Sequence, residues 1–345
     1  MKCVSQLLSE RPLVSIIVDN YNCDRYLGQA IDSALHQTFQ PVEVIVVDDG
    51  STDDSRAIIQ EYDGRILPVF KQNGGQASAF NAGFACSQGE VVIFLDADDV
   101  LFPDTVEKVV QALRDHPDIS KIQYRLEVID ERGERTGLLK PRIDQQLPNG
   151  DLKRNVLAFP DDLLWQPTSG NAFPAWVLSR IFPMPEEEYR ICADYYLSNL
   201  SPLFGLVKSI QSPCGGYRIH SANRHHTSQF NLERTRQIII RSVRTHGYIG
   251  EYRKHLGLDE ITGQSFSPRS ITLVSHRMIS LKLDPERHPY QGDHMIPLCL
   301  TGMRASFSHF DLPLQTRLVY LFWCLTLLLA PKFAVKRLAE KFLNT

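Results

Sequence analysis

In the stretch VVIFLDADDVLFPD (residues 91–104), five branched or aromatic apolar residues, Val91 to Leu95, run directly into Asp96, Asp98 and Asp99. The unbroken apolar run predicts a strand covered on both faces, as in a parallel sheet flanked by helices. Three carboxylates crowded at its end repel one another and raise one another's pKa unless a cation or a set of donors compensates. An Asp after a strand often only caps a helix or makes a turn. That plainer role suits Asp53 and Asp54 but does not account for Asp96 and Asp98 together. A hard divalent ion, Mg²⁺ or Mn²⁺, takes oxygen ligands and commonly completes its shell with one or two carboxylates plus substrate phosphates. A metal–diphosphate site is therefore the first physical reading of this stretch.

Working outward, VSIIV (14–18), VEVIVV (42–47) and ILPVF (66–70) read as further strands. Between them, Tyr26, Leu27, Ala30, Ile31, Ala34 and Leu35 form one stripe at helical spacing. Asp53 opens a second helix, Gln76 to Cys86 makes a third, and Pro103 is placed to start a fourth through Val106, Val109, Val110 and Leu113. The alternation of strands and helices predicts a doubly wound, mostly parallel α/β sheet. Ligands of such sheets bind outside the carboxyl ends of the strands. Two acidic sets fall there, Asp48-Asp49 after the second strand and Asp96 to Asp99 after the fourth.

KIQYRLEVID (121–130) followed by ERGERTG suggests an appended hairpin. Leu232 to Leu256 and Ser270 to Leu283 read as helices, so a mainly helical C-terminal extension is expected. The expected domains are 1–225, made of two halves at 12–115 and 116–225, and a helical region at 226–345. LVYLFWCLTLLLA (318–330) holds thirteen nearly unbroken apolar residues, followed by four Lys/Arg against one Glu. Spanning a bilayer takes about 20 apolar residues. The segment 318–345 is thus either a core helix or a basic amphipathic anchor on anionic lipid.

The net charge of −3 over 345 residues carries no electrostatic footprint for nucleic acid. Seven cysteines scattered singly suit thiols in a reducing compartment better than a disulfide framework or a zinc site. The N-terminus MKCVSQLLSERPLVS lacks the apolar centre of a signal peptide, so a cytoplasmic place is expected, with peripheral contact at the inner face of the plasma membrane.

The ordered set VSIIVDNYN, YLGQAIDSALHQT, VEVIVVDDGSTDDS and QNGGQASAFNAGFACSQGEVVIFLDADD resembles the N-terminal half of a family 2 inverting nucleotide-sugar glycosyltransferase. The similarity is dense over about residues 12–115 and continues weakly to about 220. The resemblance implies the GT-A fold, a divalent metal (Mn²⁺ or Mg²⁺), and a UDP-, dTDP- or GDP-sugar donor. It implies that Asp49 hydrogen-bonds the donor's base with Asp48 beside it. Asp96 and Asp98 match the DxD, with Asp98 the direct metal ligand, Asp96 near the ribose and metal waters, and Asp99 orienting the pair. Asp194, in ICADYYLSNL, matches the general base that takes the acceptor's proton; its plainer role is an acid favoured by the helix dipole. In YRIHSANRHH (217–226), Arg218 is expected to meet the diphosphate and His220 to reach the metal or phosphate. His225 and His226 read as a solvated loop, and Trp165 and Trp176 either stack on a sugar or belong to the core.

Three positions depart from the family pattern. Asp19-Asn20 stands where a Pro and a Thr or Ser are usual, adding a carboxylate by the base pocket. Phe80 replaces an Arg, so an expected positive contact near the diphosphate is missing; Gln76 or a basic residue from the C-terminal part is the replacement to look for. Ala193 replaces the Glu that often precedes the base. The expected acceptor is a glycan or a lipid-linked saccharide in surface polysaccharide synthesis, and the absence of QxxRW after Asp194 disfavours a processive synthase. Two rivals remain. DADDVLF also reads as a haloacid-dehalogenase-like phosphatase motif, which normally sits on the first strand rather than the fourth. A non-catalytic nucleotide-sugar-binding protein is the other.

Overall fold

The computed structural model describes residues 7–220, 230–258, 269–309 and 312–342. Its elements run β1 (Val14–Asn20), α1 (Asp24–Leu35), β2 (Val42–Asp48), α2 (Ser55–Glu61), β3 (Leu67–Phe70), α3 (Gln76–Cys86), β4 (Val91–Asp96), β5 (Val100–Leu101) and α4 (Thr105–Asp115). They continue with β6 (Ile119–Ile129), β7 (Arg135–Lys140), α5 (Lys153–Ala158), β8 (Asn171–Pro174), α6 (Ala175–Ile181), α7 (Ala193–Leu200) and β9 (Leu206–Arg218). Five helices follow: α8 (Leu232–His255), α9 (Ile271–Leu283), α10 (Met295–Ser308), α11 (Leu314–Leu329) and α12 (Lys332–Phe342). The chain forms two compact units, one from Met1–Lys153 and Leu164–Asn223, the other from Arg154–Leu163 and Arg224–Thr345.

The first unit is an α/β domain on one sheet ordered β3-β2-β1-β4-β8-β6-β9-β5, with β7 paired to β6. β1 lies between β2 and β4, and β2 joins β3, all in parallel. The chain order reverses at β1, the topological switch that opens a crevice at the strand ends. β1 alternates between two cores. Val14, Ile16 and Val18 pack with Leu27, Ala30, Ile31 and Ala34 of α1 and with Val106, Val109 and Val110 of α4. Ile17 points the other way, to α3, where a Cβ on Gly83 would stand 2.4 Å from Ile17 Cγ2. The predicted stripes on α1 and α4 are buried. α4 starts at Thr105, two residues beyond Pro103, and α2 at Ser55 rather than Asp53. β6 and β7 form the expected antiparallel hairpin.

The second unit is helical. Asn231 caps α8 by accepting from the backbone N–H groups of Glu233 and Arg234. The Asp162 carboxylate takes the N–H groups of Ile271 and Thr272, both at 2.9 Å, and so caps α9. The core joins Val274, Met278 and Ile279 of α9 with Leu298, Cys299, Trp323, Cys324 and Leu327. α11 therefore buries one face, but Leu314, Leu318, Phe322 and Leu329 on the other stay exposed. Among the described residues no helix is long and apolar enough to cross a membrane. The described cysteines form no disulfide; Cys3, His225 and His226 lie outside the described residues.

Gly83→Ala tests the approach of α3 to the sheet. Relieving a helical glycine gains about 1 kcal/mol, whereas overpacking typically costs about 1–3 kcal/mol. At 2.4 Å from Ile17 the clash wins. Urea titration is expected to show a net loss of up to about 2 kcal/mol; a raised midpoint would mean that α3 can back away from β1.

Candidate active site

Strand register builds the acidic edge. In the β1–β4 pair Asp19 stands opposite Asp96, and in the β1–β2 pair Asn20 stands opposite Asp48. The chain then turns through Asp98 and Asp99 before β5. Asp96, Asp98 and Asp99 each offer a carboxylate oxygen, all within 4.8 Å of one another. Burial, and then the Asp98 charge, pushes the Asp19 carboxyl up to about 8. Burial, followed by the charges of Asp19 and Asp98, lifts Asp96 well above the usual carboxylate range, and burial followed by Asp98 does the same for Asp99. Asp19 Oδ1 and Asp99 Oδ2 are buried with no hydrogen-bond partner among the described residues. An all-oxygen set with orphaned lone pairs and mutual repulsion is the chemistry that a hard divalent cation satisfies. The residues present thus fit Mg²⁺ or Mn²⁺.

The neighbours of this cluster hold it in place. His220 Nε2 lies 3.0 Å from Asp98 Oδ2, its ring against Tyr26 at 4.8 Å. Ser169 Oγ accepts from the Asp96 N–H at 3.1 Å. Gln76, the first residue of α3, spans the site. Its Nε2 donates to Asp96 Oδ1 at 3.0 Å, Thr168 Oγ1 at 3.3 Å and Asp19 Oδ2 at 3.5 Å. Its Oε1 accepts the N–H of Ala193 at 2.9 Å. One amide therefore ties the acids of β1 and β4 to the start of α7, whose first turn carries Asp194. The Asp194 charge acts on Asp96, Lys121, Lys140 and Tyr217, which puts it within electrostatic reach of the acidic edge.

Two lysines that sequence reasoning missed share this region. Lys140, closing β7, lies 3.5 Å above the Tyr217 ring. Burial lowers its pKa while Asp99, Asp194 and Asp96 pull it back up. Lys121 is fully buried, donates to Ser198 Oγ at 2.9 Å and sits 4.0 Å over Trp165. Burial lowers its pKa strongly, against the Asp194 charge. No local pattern marks either lysine, because the hairpin and the chain reversal into α7 bring them in.

Three expected contacts take another form. Asp49 was expected to face a base, but its buried carboxylate is taken up by the protein. It accepts Lys71 Nζ at 2.5 Å, Asn73 Nδ2 at 3.1 Å, and the N–H groups of Gly74 and Gly75 at 2.9 and 2.7 Å. It thereby folds the 71–75 loop into one wall of an open cavity of about 540 Å³ lined by Gly50, Arg56, Phe70, Lys71, Gln72 and Asn73. Gly75 has φ +88°, and a Cβ there would press on the Arg190 backbone at 2.7 Å. Asp48 likewise accepts from Asn20, the Ser51 N–H and Arg56 Nε. Arg218 is fully buried rather than facing a diphosphate. Its guanidinium donates to the carbonyls of Asp98 and Asp130 and to Gln29 Oε1, and its N–H to Asp99 Oδ1. Arg218 clamps the acidic turn from beneath.

Residues 15–166 match the family model for glycosyl transferase family 2. An uncharacterized glycosyltransferase of Nostoc sp. is 37 % identical over 245 residues, covering 66 % of this chain and 74 % of that protein. A second uncharacterized glycosyltransferase, from Rickettsia prowazekii, is 39 % identical over 131 residues, and this chain spans only 41 % of its length. Among solved structures, S. aureus TarS 1–349 superposes with a TM-score of 0.55 at 16 % identity, covering 95 % of this chain and 90 % of that one. The same TarS fragment in complex with UDP-GlcNAc gives 0.53 at 14 % identity, with the same coverage. The structural likeness is one of fold, while the sequence relation to the Nostoc protein covers 66 % of this chain. With the acidic edge and the strand order already in place, these relations settle the family: the chain belongs to glycosyltransferase family 2.

Proposed function

We propose that the protein is an inverting, metal-dependent glycosyltransferase. It moves a sugar from a nucleoside diphosphate to a hydroxyl of a glycan or lipid-linked acceptor at a membrane surface, in surface polysaccharide synthesis. The observation that carries this reading is the pairing of two separate carboxylate systems, joined by Gln76: the Asp96–Asp98–Asp99 cluster and Asp194 at the head of α7. The phosphatase alternative needs only the first, leaves Asp194 without a role, and expects its motif on the first strand rather than on β4. The UDP-GlcNAc complex of TarS, a protein of similar fold, supports a nucleotide-sugar donor.

Asp96 and Asp98 would hold the divalent ion, with Asp19 and Asp99 behind them and His220 keeping the Asp98 carboxylate turned. When bound, that ion supplies Lewis-acid stabilisation of the departing diphosphate. The cavity beside Arg56, Phe70 and Lys71 would take the base. Lys140, whose charge is felt by the same acids, would supply the positive contact that Phe80 cannot. Asp194 would take the acceptor hydroxyl's proton as its oxygen attacks the anomeric carbon in line, which inverts the configuration.

A thermal-shift screen of UDP-, dTDP- and GDP-sugars with and without Mn²⁺ tests the donor. One sugar nucleotide should raise the melting temperature more when Mn²⁺ is present, and Asp98→Ala should lose the metal-dependent part. An undiminished metal-dependent shift in that variant would remove Asp98 from the site. Asp194→Asn should keep the donor shift while transfer falls by about 10²–10⁴-fold, the usual worth of a general base; full transfer would refute the assignment.

The Asp19 carboxyl gives a pH test. Its pKa in the folded chain, about 8, lies above its ordinary value of 3.8, so between these values the folded state holds the extra proton. Its contribution to stability is present below pH 3.8 and is lost as pH rises through 8. Without metal, the melting temperature of the wild type should therefore fall as pH rises from about 4 to about 8 and level off above it, and Mn²⁺ should reduce the fall. Asp19→Asn should make it shallower, the remainder coming from Asp96 and Asp99. Equal slopes in the two proteins would show that Asp19 is not held in its neutral form.

A further inference from the structure

We infer that the second unit carries a surface built to rest on an anionic phospholipid bilayer without spanning it. This deepens the membrane-surface part of the proposed function and rests on that part. α10 and α11 each have a packed face and a bare one. α10 buries Leu298, Cys299, Gly302 and Ala305 but exposes Ile296, Leu300 and Phe307. α11 buries Trp323, Cys324 and Leu327, while Leu314, Phe322 and Leu329 keep between 63 % and 78 % of their surface. The spacings 314, 318, 322 and 329 put one stripe along α11, as 296, 300 and 307 do along α10. Arg317 joins the two helix ends, donating from Nη1 to the Phe307 carbonyl at 3.1 Å and from Nε to the Leu312 carbonyl at 2.8 Å. On α12, Phe333 is exposed as well. Large apolar side chains exposed on three successive helices exceed the single exposed residues that any surface tolerates.

The charge around them selects the occupant. Among the described side chains, the three helices hold five Lys/Arg (Arg304, Arg317, Lys332, Lys336 and Arg337) against one acid, Glu340. An apolar groove of about 600 Å³ has Arg269 and Arg304 in its lining together with Leu300, Met303 and Phe307. An apolar stripe edged by cations is the pattern of a helix lying in the plane of a bilayer interface, where lysine and arginine meet anionic headgroups. A second copy of this chain would set one cationic surface against another, which disfavours self-association. The apolar run of α11 is also too short to cross, at thirteen residues against the roughly 20 that spanning needs.

The test is sedimentation of the full chain with vesicles of phosphatidylcholine alone or mixed with phosphatidylglycerol. The wild type should bind the anionic vesicles about tenfold or more above the neutral ones, less so as salt rises. The double variant Phe322→Ser/Leu329→Ser should lose binding to both, and Lys336→Glu/Arg337→Glu should lose the preference for anionic lipid. All four positions are exposed, so both variants should melt like the wild type. Three results would overturn the inference: wild type left in the supernatant, apolar variants that bind undiminished, or a dimer that Phe322→Ser dissolves while no vesicle is bound. The readout involves no donor or sugar transfer, so a negative result removes this surface and leaves the assignment of the acidic edge standing. Loss of the donor-induced thermal shift would do the reverse.

Discussion

Electrostatic crowding at one end of the sheet is the constraint on which the rest depends. Parallel strands β1, β2 and β4 run side by side, so that Asn20 comes level with Asp48 on one flank of β1 and Asp19 comes level with Asp96 on the other. Carboxylates placed this way, with apolar strands behind them, gain little from water and repel one another. Hydrogen-bond donors therefore have to come from distant parts of the chain. Gln76 comes from the start of α3, Ser169 from the turn before β8, and the Arg218 N–H and His220 from the end of β9. Even so, oxygens of Asp19 and Asp99 stay unpartnered among the described residues. Much of the antiparallel half of the sheet can be understood as the frame that delivers these donors.

The parallel half was legible because burial on both faces leaves an almost uninterrupted apolar run, and helices covering it show a stripe of period 3.6. Val14 to Val18, Val42 to Val47 and Val91 to Leu95 satisfied both conditions. The sites at their ends were legible for the same reason, since an acid directly after such a run has one place to go. β5, two residues long, and β8, four, were not legible, because strands this short are defined by their partners rather than by their own pattern. The true settings of Asp49 and Arg218 were hidden for a related reason. The sequence shows an acid and an arginine near a ligand-binding edge. Whether they face the cleft or brace it depends on Lys71, the Gly74-Gly75 turn and the carbonyls of Asp98 and Asp130, none adjacent to both.

In the second unit, α8 and α9 followed from helical spacing, but the assignment of residues 318–330 as either core or anchor did not anticipate a helix with one packed face and one bare apolar face. The reason is geometric. A nearly unbroken apolar run has no polar face to reveal which side packs, and only the tertiary contacts of Trp323, Cys324 and Leu327 decide it. The structural part played by Arg154–Leu163 was equally invisible. Asp162 is useful only because the N–H groups of Ile271 and Thr272, more than a hundred residues later, need an acceptor.

The departures from the family pattern make sense together rather than one at a time. Phe80 is fully buried and stacks on Phe94 at 4.2 Å, one helical turn beyond Gln76. An arginine there would have its guanidinium in an apolar layer, where an unpaired charge is expensive. Ala193 is also fully buried, and its N–H is committed to Gln76 Oε1. A glutamate at 193 would add one more buried carboxylate to an edge that already holds Asp19, Asp96 and Asp99 above their usual pKa. Losing the acid at 193 while gaining one at 19 keeps the number of carboxylates near Gln76 from growing. Losing the arginine at 80 leaves the neutral amide of Gln76 as the bridge between the two carboxylate systems, with Lys140 reaching the same acids from β7. A lysine of the hairpin, and no basic residue of α3, thus stands within electrostatic reach of these acids, and α3 packs its apolar face on β1 and β2.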